Sequence, residues 1–296
     1  MTIKYLDAKR LQGTNAERLA MTSGATDSMG SSADGTNNGA ELDTDDEKLG
    51  TGCLDFNGTD GKLSIPAQAN LVEGLTEWSV SIWVWVDDWS DGTEDKLIMS
   101  QWNTSGSDGS VFRIEPQNNQ KINIRIRRDD DQATMYTGGT ACDGDGTWNH
   151  VVFNFYEDSG QKGKLYINGS ADSAGVVSFP NDMRANADDT ALEIGDQTTQ
   201  ADTEFSGKFD DIGFWSRKLT TAEITALYNG GTGALISTLT DTSGLRAYYN
   251  CDSATVDNNA VAVNPSLPNG TIFNETDAYK YFMWNGTDTW NQMVSS

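Results

Sequence analysis

The stretch FSGKFDDIGFWSRKLTTAEITALYNGG, residues 205–231, couples an alternating strand to a capped helix. A two-residue period predicts Asp210, Ile212 and Phe214 on one face of the strand and Phe209, Asp211, Gly213 and Trp215 on the other. The helix is bounded at both ends. Thr220 and Glu223 have capping-box spacing, Ile224, Leu227 and Tyr228 supply an apolar stripe, and Gly230-Gly231 ends it. Few folds run a strand into one short helix inside an otherwise strand-rich chain.

Working outward, WSVSIWVWV (78–86) alternates Val80, Ile82, Val84 and Val86 with Ser81, Trp83 and Trp85. Both of its faces are apolar, which predicts a central strand. Further strands are expected at 96–102, 110–115, 121–128, 133–137, 148–156, 164–167 and 191–194. Short strands at this spacing build a sandwich or barrel. Together, DFNGTDGKLSIP (55–66), WSVSIWVWV, GTWNHVVFNFYEDSGQKGKLYINGS (146–170) and the 205–231 stretch resemble, in order, the hairpins and strands of laminin-G-like domains. These are jelly rolls of the concanavalin A-like lectin and glucanase superfamily. The resemblance spans residues 53–231 and implies an all-β antiparallel sandwich with one short helix. It does not fix a function, because this superfamily hosts many.

The 296 residues suit one large sandwich extended at both ends. Nine Trp, nine Tyr and ten Phe concentrate apolar area in few positions, which offsets a hydrophobic content of only 36%. A net charge of −24 argues against nucleic acid and anionic membrane as partners and makes cations the natural ones; the same charge also serves as a solubilising surface. Cys53, Cys142 and Cys251 are too few and too scattered for a disulfide framework or zinc knuckle. Cys53 and Cys251 bracket the sandwich, so one bridge between them and a set of buried free thiols are both open readings. MTIKYLDAKRLQG has no apolar core of signal-peptide length, and no segment reaches the ~20 apolar residues of a membrane span. The expectation is a soluble protein without membrane insertion that is not exported by that route. Asn57, Asn168 and Asn285 precede Gly and read as hairpin turns.

Residues 1–50 read as an arm and polar linker: a strand-like piece at 3–6, a helical turn around 16–21, then a tract of Ser, Gly, Thr, Asn, Asp and Glu from 22 to 50. The boundary is set near Gly50, with the sandwich over 51–250. Residues 251–296 form an aromatic hairpin tail, with a strand at 279–284 turning at Asn285-Gly286 toward Trp290. The tail and the YLDAKRLQG opening resemble short terminal modules of tail, fibre and capsid-associated proteins from viruses of bacteria and archaea.

Glu41, Asp43, Asp45 and Glu47 evoke the acid triplet that retaining glucanases of this superfamily carry on one strand, yet the third acid is misplaced. Only Leu42 could anchor such a strand, so the run reads as solvated linker. The resemblance also implies a Ca²⁺ site with Asp60, Asp210 and Asp211 as oxygen ligands at the matching segments. In KINIRIRR (121–128), Ile122, Ile124 and Ile126 point inward and Arg125 and Arg127 outward, with Arg113 on a neighbouring strand. That cationic face is read either as a grip on acidic sugars or a partner's carboxylates, or as pairing with the chain's own acids, Asp129 to Asp131 included. Trp83, Trp85, Trp89 and Trp102 could stack sugar rings, although packing is the commoner job of Trp. His150, the only histidine, sits beside Trp148 and is expected to pack or hydrogen-bond locally. No nucleophile triad, transition-metal cluster or phosphate loop is present.

The candidate site therefore comprises Arg113, Arg125, Arg127 and Trp102 for a ligand, Asp60, Asp210 and Asp211 for Ca²⁺, and no catalytic residue. The leading expectation is a non-enzymatic virion structural or surface protein, made in the host cytoplasm and displayed on the particle. Its termini would dock onto copies of itself or other virion proteins, and its sandwich would attach to a host or to surface glycans. A free or cell-surface lectin is the second reading and a glycoside hydrolase the third.

Overall fold

The computed structural model describes residues 4–7, 10–13, 33–67, 71–72, 74–90, 96–102, 111–127, 133–179, 190–198, 200–254, 272–275, 280–284 and 290–293, and for 4–13 and 272–293 the backbone alone. Its strands run β1 (Lys4–Asp7), β2 (Arg10–Gly13), β3 (Thr36–Asn38), β4 (Glu41–Asp43), β5 (Cys53–Asn57), β6 (Lys62–Ile65), β7 (Trp78–Val86), β8 (Met99–Gln101), β9 (Phe112–Pro116) and β10 (Ile122–Arg127). They continue with β11 (Ala133–Thr137), β12 (Trp148–Glu157), β13 (Gln161–Ile167), β14 (Ser170–Ser178), β15 (Leu192–Ile194), β16 (Ser206–Trp215), β17 (Leu245–Tyr249), β18 (Ile272–Glu275), β19 (Lys280–Trp284) and β20 (Trp290–Met293). The helix α1 (Thr221–Tyr228) follows β16, and the Thr220–Glu223 capping box forms as predicted.

Two antiparallel sheets make the sandwich. One has seven strands in the order β11-β10-β9-β8-β15-β6-β3; the other has eight, β14-β13-β12-β7-β16-β5-β4 with β17 on β16. The core between them takes alternate residues of each strand: Trp78, Val80, Ile82, Val84 and Val86 from β7, and Ile122, Ile124 and Ile126 from β10. Trp78 packs against Phe112, Phe153 and Phe155 at 5.1–5.6 Å between ring centroids. β7 lies between β12 and β16, the central position predicted from its two apolar faces. Asn168 and Gly169, at φ 49° and 74°, turn β13 into β14 with the left-handed pair that a tight hairpin needs.

The sandwich begins before Gly50, so the boundary drawn there is moved. Thr36–Asn38 pairs with β6 and Glu41–Asp43 with β5. This polar tract forms strands because existing sheet edges supply its hydrogen-bond partners; its composition offers no core of its own. β14 is not announced by its sequence either, since the Ala and Val residues of SADSAGVVS set no two-residue apolar period, although Val177 packs against the core. The arm and tail, read as separate modules, share one five-stranded sheet, β1-β2-β18-β19-β20, in which β2 and β18 run parallel. A pair of such short strands is marginal alone, and a five-stranded sheet gives each end its partners. The helical turn at 16–21, the linker residues 22–32 and the Asn285-Gly286 turn lie outside the described residues.

The strict alternation read into 205–215 breaks at one point. Asp210 pairs with Trp83 and Gly213 with Ser81, so three steps on β16 match two on β7, and Asp211 adopts φ 48°. This bulge keeps Phe209, Ile212 and Phe214 in the core and puts both Asp210 and Asp211 on the outer side of the sheet. There they tie down the segments that cover it. Asp210 Oδ2 accepts from the backbone N–H of Lys48 (3.1 Å) and Leu49 (2.8 Å). Asp211 accepts from the Ile236 N–H (3.2 Å) and the Tyr248 hydroxyl (2.7 Å). Burial pushes both carboxyls up, Asp210 to about 8 and Asp211 to about 7, and the Leu49 and Tyr248 donors pull the other way. The outer cluster sealed in this way includes Val152, Trp215, Leu219, Ile224 and Leu227.

Asp211→Ala should lower unfolding stability by about 3 kcal/mol, because it strands two buried donors and places alanine in left-handed backbone. Tyr248→Phe should cost clearly less, about 1 kcal/mol. Urea titration of the three proteins checks this, and equal midpoints for Asp211→Ala and the parent would contradict it.

Candidate functional site

The outward face of the seven-stranded sheet follows from its register. Ser100 stands opposite Arg113, Arg113 opposite Arg125 and Arg125 opposite Met135, so these residues form one cross-strand row. The isoleucines that alternate with them fill the core, which forces the guanidinium groups outward. Trp102, just past β8, lies under two of them. The guanidinium carbons of Arg113 and Arg127 sit 4.8 and 4.4 Å from its ring, and the residue is 6% exposed. Glu115, opposite Asn123, joins the other pair: its Oε1 is 2.7 Å from Arg113 Nε and 3.2 Å from Arg125 Nε, and its Oε2 accepts from Arg125 Nη2 at 3.3 Å. Arg113 also donates to Gln200 Oε1 (3.2 Å) and Gln197 Oε1 (3.4 Å), and the latter accepts from the Ser100 hydroxyl at 2.9 Å.

All four residues expected to meet a ligand thus converge on one face. Sequence reasoning missed Glu115, Gln197 and Gln200. Glu115 alternates with Arg113 along β9, a signal that was readable; the two glutamines arrive from the segment after β15, and no local pattern announces them. Asp129 to Asp131, weighed as counter-ions, lie outside the described residues.

The proposed calcium ligands are not gathered. Asp210 and Asp211 adjoin, but their carboxylates accept internal hydrogen bonds from different segments. Asp60 stands on the exposed β5–β6 turn, where its carboxylate accepts from Asn57 Nδ2 at 2.8 Å. Among the described residues no three His, Cys, Asp or Glu side chains form a group able to hold a metal ion. The three cysteines are free and buried, and burial pushes the Cys53 and Cys142 thiols up to about 12. A groove of about 420 Å³ beside α1 and the 234–241 segment contains Arg217, which is engaged by Glu223 at 2.5 and 3.1 Å and by the Ser243, Asp241 and Lys218 carbonyls. Among the described residues no helix is long and apolar enough to cross a membrane.

A sequence profile described as the concanavalin A-like lectin/glucanases superfamily, of laminin G type, matches residues 57–225. The chain belongs to this superfamily. No curated protein matches it. Solved structures with the same fold include the binding domain of Paraclostridial Mosquitocidal Protein 1, at 12% identity and TM-score 0.51 over 67% of this chain and 48% of that one. The receptor binding domain of botulinum neurotoxin C/D mosaic serotype is similar at 15% identity and TM-score 0.51, over 67% and 46%. The chain spans just under half the length of these structures.

In this superfamily member the acidic run is not linker. Glu41 and Asp43 lie on β4, and the Lys208 ammonium, 2.5 Å from Asp43 and 2.8 Å from Asp46, holds the Asp43 carboxyl below the usual range. A general acid for glycoside hydrolysis needs the opposite shift. His150 is buried as expected, with Nε2 2.9 Å from the Ser81 hydroxyl and its ring 4.9 Å from Trp83. Burial, helped by the charge of Lys48, pushes it down to about 3.

Native His150 therefore stays neutral where the unfolded chain takes up a proton, so its contribution to stability falls as pH drops below about 6.5. Between pH 7 and 5 the parent should lose about 2 kcal/mol relative to His150→Gln, measured by urea titration of both. The buried aspartates titrate with opposite sign but are common to both proteins and cancel in the difference. Parallel pH profiles would show that His150 is not held neutral.

Proposed function

We propose that this chain is a non-enzymatic surface protein of a virus particle, a capsid decoration, tail or fibre component, whose sandwich attaches to host-surface glycans. The observation that supports the attachment role is the convergence of Arg113, Arg125, Arg127 and Trp102 on one sheet face. Charge-bearing planar donors held in a fixed array suit recognition of a polar ligand. Two proteins that share the fold are a binding domain and a receptor binding domain, which is consistent with the scaffold being put to attachment.

The particle half of the reading rests on the termini. Their sequences resemble virion modules, and β2 beside β18 makes them one sheet, a single handle by which the sandwich would be held to copies of itself or to other virion proteins. Glycans and virion proteins are then the partners, and the virion surface the location. A free lectin has the same sandwich and the same binding face but needs no assembly.

On a glycan array the protein should bind a restricted set of sugars, and electron microscopy should show an ordered assembly that is lost on deleting residues 264–296. Glycan binding by a stable monomer would favour the lectin. An array without hits would remove the attachment role.

A further inference from the structure

One edge of the eight-stranded sheet, β14, exposes no charged side chain in a chain of net charge −24. Strand edges that stay unpaired in native proteins are short, bear Lys or Pro, or are bulged out of reach. β14 uses the last device over its first part. Tyr166 stands opposite Ala171 and Lys164 opposite Val176, so five steps on β14 match two on β13, and Gly175 has φ 75°. The one acid of the strand, Asp172, is turned inward: it is 3% exposed and accepts from the Tyr136 hydroxyl (3.0 Å) and the Thr140 and Ala174 N–H groups (2.6 and 2.9 Å).

Past the bulge the strand has none of these protections. The Phe179 N–H donates to the Gln161 carbonyl at 2.9 Å, and Ser178, Val177 and Val176 stand opposite Lys162, Gly163 and Lys164. Hydrogen-bonded and non-hydrogen-bonded pairs alternate along an antiparallel ladder, so Val177 bonds to β13 while the N–H and C=O of Val176 and Ser178 point away from it. Among the described residues no strand pairs with them. Val177 packs toward the core, which puts the Val176 and Ser178 side chains on the outer face. At 49%, Val176 is the most exposed large hydrophobic residue among those described.

Two copies of so acidic a chain repel each other over most of their surface. The other edge of this sheet, β4, carries Glu41 and Asp43 and shares in that repulsion. At β14 the exposed side chains are neutral, and the cross-strand neighbours of Val176 and Ser178 are lysines. We infer that β14 is a self-association edge, at which two copies pair antiparallel around a two-fold axis at Val177. Val176 of each copy exchanges both backbone hydrogen bonds with Ser178 of the other, and two eight-stranded sheets become one. The bulge ends this joint at Gly175, so it is short and the pairing weak. It does not depend on the glycan reading, and it adds a contact to the one proposed for the termini.

Sedimentation velocity of the full chain should show monomer at about 1 μM and a growing dimer fraction at about 100 μM. Over the same range hydrogen exchange should slow at the Val176 and Ser178 amides, while the Val177 amide is protected at every concentration. Val176→Glu, placed opposite Lys164 of its own copy, should raise the dissociation constant about tenfold at unchanged melting temperature. Val176→Thr, β-branched and uncharged, should leave it within about twofold. A chain still monomeric at about 100 μM would overturn the proposal. So would a dimer whose Val176 and Ser178 amides exchange as fast as in the monomer, a result that moves the joint elsewhere and leaves the particle reading standing.

Discussion

One extra residue in β16 governs what lies on the outside of the eight-stranded sheet. Without the bulge, Asp210 would share the core face of Ile212 and Phe214, where an ionised carboxylate costs several kcal/mol and has no donor to meet it. With the bulge, both aspartates face outward and each meets backbone N–H groups that otherwise have no strand partner: Lys48 and Leu49 on one side, Ile236 on the other. The strap that includes Lys48 is thereby laid across Trp83, with its ammonium 4.3 Å from the ring. The segment after α1 is pinned over Trp215 and Tyr248 by the same means. A second hydrophobic layer can form on the outer face only because these two polar anchors fix the chain above it.

The opposite sheet is organised by a different economy of polar atoms. Among the described residues no helix covers its outer face, and its arginines are instead ordered by Trp102 and by one nearly buried carboxylate, Glu115, shared between two of them. The two outer faces of a single sandwich thus differ in kind. One is closed by buried aspartates and aromatic packing; the other presents cations in a chain whose net charge is −24.

Much of this was legible in the sequence. The alternation in WSVSIWVWV and KINIRIRR assigned core and surface correctly, because a side-chain period of two is a local property of extended backbone. The helix after β16 and its capping box were equally local. Arg113, Arg125, Arg127 and Trp102 could be grouped because adjacent strands on a sheet bring like-facing residues into rows. The misreadings arose where partners are distant. Glu41–Asp43 looks like linker until β5 is beside it, and nothing local in the sequence shows that Asp210 and Asp211 accept hydrogen bonds from residues far along the chain.

By itself, then, the sequence determined most of the strands, the inward and outward sides of most of them, the capped helix after β16 and the residue types offered on the cationic face. Tertiary structure decided the rest: the extra residue that turns Asp210 outward, the pairing of both termini in one sheet, the use of Glu115, Gln197 and Gln200 as internal acceptors, and the covering of Trp102. Periodicity and capping depend on neighbours within a few residues, so the sequence exposes them. Whether a carboxylate is a ligand or an anchor, and whether a tryptophan is open or covered, depends on which distant donors and cations the fold brings within hydrogen-bonding or stacking distance.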